Sequence, residues 1–125
     1  MIPDDRLYTE QHEWLKLEGG EAVLGITDFA QQELGDVVFV DLPSPGQAFG
    51  EGFEIGAIES VKAVAEIFTP VGGTVEATNS QLEDAPELVN EDPYGEGWLV
   101  RLRLDGEAPD GLMTAAEYEA LLAAG

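Results

Sequence analysis

The stretch AIESVKAVAEI, residues 57–67, decides the fold. It lies inside an apolar run, Phe53 to Phe68, that reads as strand. Drawn as one straight strand, residues 53–69 would span about 56 Å at ~3.3 Å per residue. A domain of this chain length has a diameter of roughly 36 Å. Strands commonly hold ~5–6 residues. The run therefore divides into two arms, Glu54–Glu59 and Val64–Ile67, joined by a tight turn. Ser60, Val61, Lys62 and Ala63 compete for its tip. Ser60 is the only conventional turn former of the four, and no Asn-Gly signal fixes the position.

Lys62 is one of only two lysines, the other being Lys16. An ammonium is costly to bury unpaired, so Lys62 must reach solvent. A solubilising lysine on the tip or on an edge strand satisfies that rule equally. With the arms paired, Glu59 or Glu66 is placed to form an ion pair with it, with little stability at stake in solvent.

The rest of the composition narrows the function. Twenty-six acidic against five basic residues give a formal net charge of −21 over 125 residues. Nucleic-acid phosphates and anionic lipid repel such a chain, so proteins with neutral or basic faces are the expected partners. A hydrophobic fraction of 44% is that of a folded domain rather than an acidic disordered tail. The length suits one domain, residues 1–125. There is no cysteine, which removes disulfides, thiolate metal sites and protein-borne thiol chemistry. One histidine, His12, cannot make a histidine cluster for zinc. No apolar run approaches the ~20 residues of a membrane span. The start, MIPDDRLYTE, lacks the basic and apolar regions of a signal peptide. A cytoplasmic product, or a mitochondrial-matrix protein already processed, is the expectation.

Short strands and Gly/Pro turns dominate the remainder. Residues 12–17 and 22–26 flank Gly19-Gly20 and predict a hairpin. Thr27 offers an N-cap for a two-turn helix closed by Gly35. Val37–Val40 reads as a strand ended by DLPSPGQ, and Thr74–Ala77 as another. Residues 79–97 are polar and turn-rich. Trp98–Leu104 alternates as a strand. Thr114 and Glu117 form a capping-box pattern, and Tyr118, Leu121 and Leu122 make a helical stripe that should lie on the sheet. The sum is mainly β, an antiparallel sandwich or partly closed barrel with two small helices.

Several segments then resemble the glycine cleavage system H proteins, a lipoyl-carrier family. They are ESVKA followed by PVGGTVEATN, HEW at 12–14, GITDFAQQELGDVVFVDLP at 25–43, LVNEDPYGEGW at 88–98 and AEYE at 116–119, in family order along almost the full chain. The resemblance implies a barrel-sandwich hybrid of two antiparallel sheets, with short helices that include a C-terminal one. It implies a hairpin-tip lysine at Lys62, joined by an amide to lipoic acid. Biotin carriers have methionines beside their lysine, whereas Val61 and Ala63 stand here. Lipoyl domains of 2-oxoacid dehydrogenases usually have an Asp before the lysine and do not account for HEW.

The family's role is that of a carrier rather than a catalyst. The arm would take an aminomethyl group from a pyridoxal-phosphate-dependent glycine decarboxylase. It would present that group to a tetrahydrofolate-dependent aminomethyltransferase and be reoxidised by dihydrolipoyl dehydrogenase. A lipoylating enzyme would install the cofactor, and the carrier would be a monomer. Glu13 and Glu66 match positions associated with the arm's amine. Glu33 stands where some relatives have histidine, so a polar contact there is altered. Glu59 is placed to orient the turn or to be read by the lipoylating enzyme. His12 suits local hydrogen bonding or docking, and Trp14 and Trp98 suit the core or a cleft wall. A relay that donates lipoyl groups to other lipoyl domains fits the same residues. A hydrolase with paired carboxylates finds no motif to fix the pair, and an unmodified binding module would leave Lys62 an ordinary surface group.

Overall fold

A computed structural model describes residues 2–124. In it the run from Phe53 to Phe68 folds back on itself. The arms are β6 (Glu54–Ser60) and β7 (Val64–Phe68), paired antiparallel with Glu59 opposite Val64 and Ala57 opposite Glu66. Strand β4 (Val37–Asp41) joins them in a three-stranded sheet of order β4-β6-β7. The second sheet has six strands in the order β1-β2-β3-β9-β8-β5: β1 (Leu7–Tyr8), β2 (Glu13–Glu18), β3 (Glu21–Ile26), β5 (Ala48–Phe49), β8 (Gly73–Thr78) and β9 (Val100–Leu104). Every pairing is antiparallel. The expected two-sheet architecture is therefore present.

Strand alternation gives the large sheet two apolar faces. Leu15, Leu24, Val75, Val100 and Leu102 point inward and pack with Ile55, Ile58 and Ile67 of the small sheet, forming the main core. Tyr8, Trp14 and Val23 point the other way, under Tyr118 of the C-terminal helix α4 (Ala115–Ala124). The rings of Tyr8 and Tyr118 stack with centroids 4.8 Å apart. Leu121 and Leu122 pack at the edge of this second cluster, so the helical stripe does lie on the sheet. The capping box closes in both directions. Glu117 N–H donates to Thr114 Oγ1, and the Glu117 carboxylate accepts from Thr114 N–H.

Helix α1 (Asp28–Leu34) starts as its sequence predicts. Thr27 Oγ1 accepts from Ala30 N–H, and Gly35 ends the helix at φ 78° with its N–H on Gln31 O. Two features differ from the sequence reading. The turn-rich segment 79–97 contains two one-turn helices, α2 (Gln81–Asp84) and α3 (Leu88–Glu91), so the described residues form four helices rather than two. Each buries one side chain, Leu82 or Val89, and one turn is too short for a 3.6-residue period to show. Strand β9 also begins later than expected, at Val100. Asn79 holds the backbone just before β9: its Nδ2 donates to Glu96 O and Trp98 O and its N–H to Leu99 O, while Leu99 N–H donates to Leu24 O of β3. Leu99 and Val100 are consecutive and both buried.

The Trp14 indole lies over Gly25, its cross-strand partner, and donates Nε1–H to Pro93 O at 2.9 Å. A β-carbon on Gly25 would collide with the indole ring. Gly25→Ala is expected to destabilise the fold by about 1–3 kcal/mol, the range for overpacking. A urea midpoint equal to that of the parent would show that the ring moves aside freely.

Candidate functional site

Ser60 closes the turn from β6 to β7. Its N–H donates to Ala63 O at 2.8 Å, and its hydroxyl oxygen accepts from Lys62 N–H at 3.3 Å and Ala63 N–H at 3.1 Å. A serine thus supplies with its side chain what Asn-Gly supplies with its backbone. Lys62 is at the tip and exposed.

The tip is not free-standing. Val61 N–H donates to Asp36 O at 3.0 Å, which fastens the turn to the corner between α1 and β4. The lysine stem runs beside Gly35. A β-carbon there would sit 3.4 Å from Lys62 Cε, and its φ of +78° disfavours any side chain. The absent side chain leaves the stem a smooth floor.

The ion pairs among the described residues are Arg6–Asp5 and Lys16–Asp5, so neither Glu59 nor Glu66 neutralises Lys62. Register explains Glu59. It lies in a row with Phe39 on β4 and Val64 on β7, exposed like both of them. Val61, 69% exposed, and Val64, 63% exposed, put apolar surface on both sides of the lysine. Glu66 is exposed on β7, close enough to Glu54 to help push the Glu54 carboxyl upward after desolvation has done so. Glu33 is exposed on α1 and is the charge His12 feels most.

Glu13 is different, being only 2% exposed. Its carboxylate accepts Phe68 N–H at 2.8 Å and the Thr9 hydroxyl at 3.2 Å, joining β2 to the end of β7 farthest from Lys62. Burial pushes its pKa up to about 7 against the opposing pull of these two hydrogen bonds. It lines a cleft of about 380 Å³ with Thr9, Gln11, Phe68, Thr69 and Leu112. The structure thus groups Lys62, Glu59 and Glu66 on one hairpin and brings Glu33's helix against its tip. Glu13 stands apart at the hairpin's base.

His12 and the tryptophans are structural neighbours of this frame. His12 adopts φ 68°, packs against Phe29 with centroids 4.5 Å apart, and shares a 2.8 Å hydrogen bond between Nδ1 and the Tyr118 hydroxyl. Burial lowers its pKa, with Glu33 pulling the other way. Trp14 is in the second core and Trp98 packs at its edge.

Sequence reasoning missed Asn90 of α3. It donates Nδ2–H to Gly35 O at 2.8 Å and to Gln31 Oε1 at 3.0 Å, and it accepts Val37 N–H at 2.8 Å. Asn90 lies in the LVNEDPYGEGW segment, but no local pattern marked its role, since its contacts span 53 to 59 positions.

The burial of Glu13 has a definite pH signature. Its folded pKa, about 7, exceeds the ordinary 4.5, so the folded state keeps a proton that the unfolded state releases between these values. The Glu13 contribution is complete below pH ~4.5, is lost as pH rises toward ~7, and is flat above that. The loss is on the order of 3 kcal/mol. Glu13→Gln should therefore gain stability relative to the parent across this window. Stability differences between the two proteins that are constant from pH 4.5 to 7.5 would refute the assignment.

The family profile described as "Glycine cleavage H-protein" matches residues 6–124. A glycine cleavage system H protein from Nitratidesulfovibrio vulgaris is 55% identical over 122 residues, covering 98% of this chain and 95% of its own. One from Rubrobacter xylanophilus is 56% identical over 117 residues, covering 94% and 91%. The crystal structure of a glycine cleavage system H protein from Mycobacterium marinum superposes with a TM-score of 0.90 at 38% identity, covering 98% of this chain and 99% of that one. A profile spanning nearly all described residues, relatives above half identity and a shared overall fold lead to one conclusion: the chain belongs to the glycine cleavage H-protein family.

Proposed function

We propose that this protein is the lipoyl-bearing carrier of a glycine cleavage system, with Lys62 as the attachment residue. The observation that carries the reading is an exposed lysine at the tip of a hydrogen-bonded hairpin, in a chain of this family. Lipoic acid fits the residues present: Nζ has no carboxylate partner to give up, and Gly35 leaves its stem unobstructed. When bound, the lipoyl group supplies the redox-active sulfur pair that a cysteine-free chain lacks.

The chain's own residues perform presentation. Ser60 and Asp36 O fix the tip, so the flexible part begins at the Lys62 side chain and not at the backbone. A tethered substrate is at high effective concentration in a docked partner, without tight docking. A glycine decarboxylase, an aminomethyltransferase and a dihydrolipoyl dehydrogenase are the partners this reading calls for, together with a lipoylating enzyme that would read Glu59 beside the turn. The acidic surface favours fast encounter with basic faces. Glu13 and Glu66 serve as amine contacts. A cationic amine over the cleft would stabilise the Glu13 carboxylate and lower its raised pKa. Glu33 adds negative charge beside α1.

Native or enzymatically modified protein should gain the mass of one lipoyl group, mapped to Lys62 and absent from Lys16. Lys62→Arg should melt within about 2 °C of the parent, as an exposed substitution does. It should support no glycine cleavage when the partner enzymes are added. Full activity of that variant would overturn the proposal. Lipoyl donation to other lipoyl domains without glycine cleavage would reassign the protein as a lipoyl relay.

A further inference from the structure

We infer that Asn90 is a positioning residue for the Lys62 amine, acting through the corner between α1 and β4. This rests on the carrier reading for its functional consequence, though not for its geometry.

The chain of contacts is short. Asn90 is on α3 and touches neither the tip nor the lysine. All three of its side-chain hydrogen bonds go to the segment the tip leans on: Gln31 Oε1, Gly35 O and Val37 N–H. The chemistry fixes the amide's orientation. Rotating it by half a turn would set its oxygen against two acceptors and its NH2 against a donor. Two of the three bonds bracket Asp36, whose carbonyl receives Val61 N–H. The third partner, Gln31, also receives Gly35 N–H on its own carbonyl and donates Nε2–H to Asp28. Asp36 is exposed and has no side-chain hydrogen bond of its own among those of the described residues. Asn90 therefore clamps the backbone on both sides of the carbonyl that fastens the tip, just beyond the β4–β6 ladder, and it holds the Gly35 surface along which the lysine stem runs.

No covalent requirement puts α3 there. The short helix is otherwise secured by Val89, fully buried, which places Asn90 next to the corner. The side-chain hydrogen bonds from Asn90 are thus a link between the 79–97 segment and the attachment turn, two regions distant in sequence. Without them the corner retains its fold through Leu34 and Val37, both in the core, while the Asp36 carbonyl gains freedom.

Three variants test this. Asn90→Ala removes all three bonds. Asn90→Asp keeps an acceptor for Val37 and sets a second oxygen against Gly35 O, so it isolates the donor function. Val75→Ala, in the core and away from the tip, is chosen to match the loss of melting temperature. Hydrogen exchange at the Val61 amide should speed about tenfold in both Asn90 variants relative to Val75→Ala, as expected when local opening replaces a fixed contact. The kcat/KM for enzymatic lipoylation of Lys62 should fall about tenfold, less than the ~100-fold that a 1 Å misplacement can cost. Val75→Ala should be lipoylated as well as the parent. Parent-like Val61 exchange in Asn90→Ala overturns the inference, as does an equal lipoylation defect in the Val75→Ala control. A parent protein that accepts no lipoyl group would sink the carrier reading instead, and the Val61 exchange would still decide the role of Asn90.

Discussion

The turn at Ser60–Ala63 is the constraint on which the rest depends. An apolar run of this length cannot stay straight inside a small domain, and it contains no glycine at the place where it must reverse. Ser60 resolves the conflict by accepting two backbone N–H groups on one hydroxyl. Because the tip residues need not supply the turn themselves, Val61, Lys62 and Ala63 are free to be chosen for what they present. The reversal also sets the register of the small sheet. That register puts Ile58 inward and Glu59 outward, and so determines which residues surround the lysine.

The large sheet meets a different demand. It buries side chains on both faces, which leaves little room for polar groups, yet Glu13 begins β2 inside it. The carboxylate is tolerated because it receives a backbone N–H from the end of β7 that has no strand partner of its own, and a hydroxyl from Thr9. The same contact ties the two sheets together at the base of the hairpin. Glu13 thus joins the hairpin's lower end to the frame while Asp36 O joins its tip through Val61, and the hairpin is held at both ends.

Much of this was legible in the sequence. The bend followed from length alone, α1 from Thr27 and Gly35, and α4 from the Thr114–Glu117 pair and its Tyr118 stripe. Those signals are local, with partners within one or two turns. The proposed role of Lys62 as the attachment residue was not legible in that way, since exposure and rarity suit any surface lysine, and it rests on the resemblance to a family. The features that escaped are non-local. Asn90 acts on residues more than fifty positions away, and α2 and α3 are each one turn long. The burial of Glu13 also left no trace, because one acid among 26 carries no pattern. An expected ion pair from Lys62 to Glu59 or Glu66 did not form. Glu59 sits in an outward row between Phe39 and Val64, while the lysine stem runs beside Gly35.

That last difference bears on how the acidic surface works. The chain holds five basic residues. Arg6 lies over Trp14 and bonds Asp5, Lys16 pairs with Asp5, and Arg101 sits over Trp98. Those three have partners on the frame, and Arg103 acts on Glu76, opposing the upward shift of its carboxyl. Lys62 has no ion pair among the described residues, and an amide at Nζ would remove its charge from the tip. The unmodified tip is therefore a local positive point in a negative field, and the modified tip is not. At physiological salt, fields fade over ~8 Å, so a docking protein senses chiefly the charges beside the tip. On the proposed reading, a lipoylating enzyme would recognise the ammonium and the other partners would accept its neutral product. The immediate rim, with Glu59 and Asp36 beside exposed Val61 and Val64, is common to both states. Lipoylation would then change the tip in two ways, removing one positive charge and adding the lipoyl arm, while this rim stays the same for every partner.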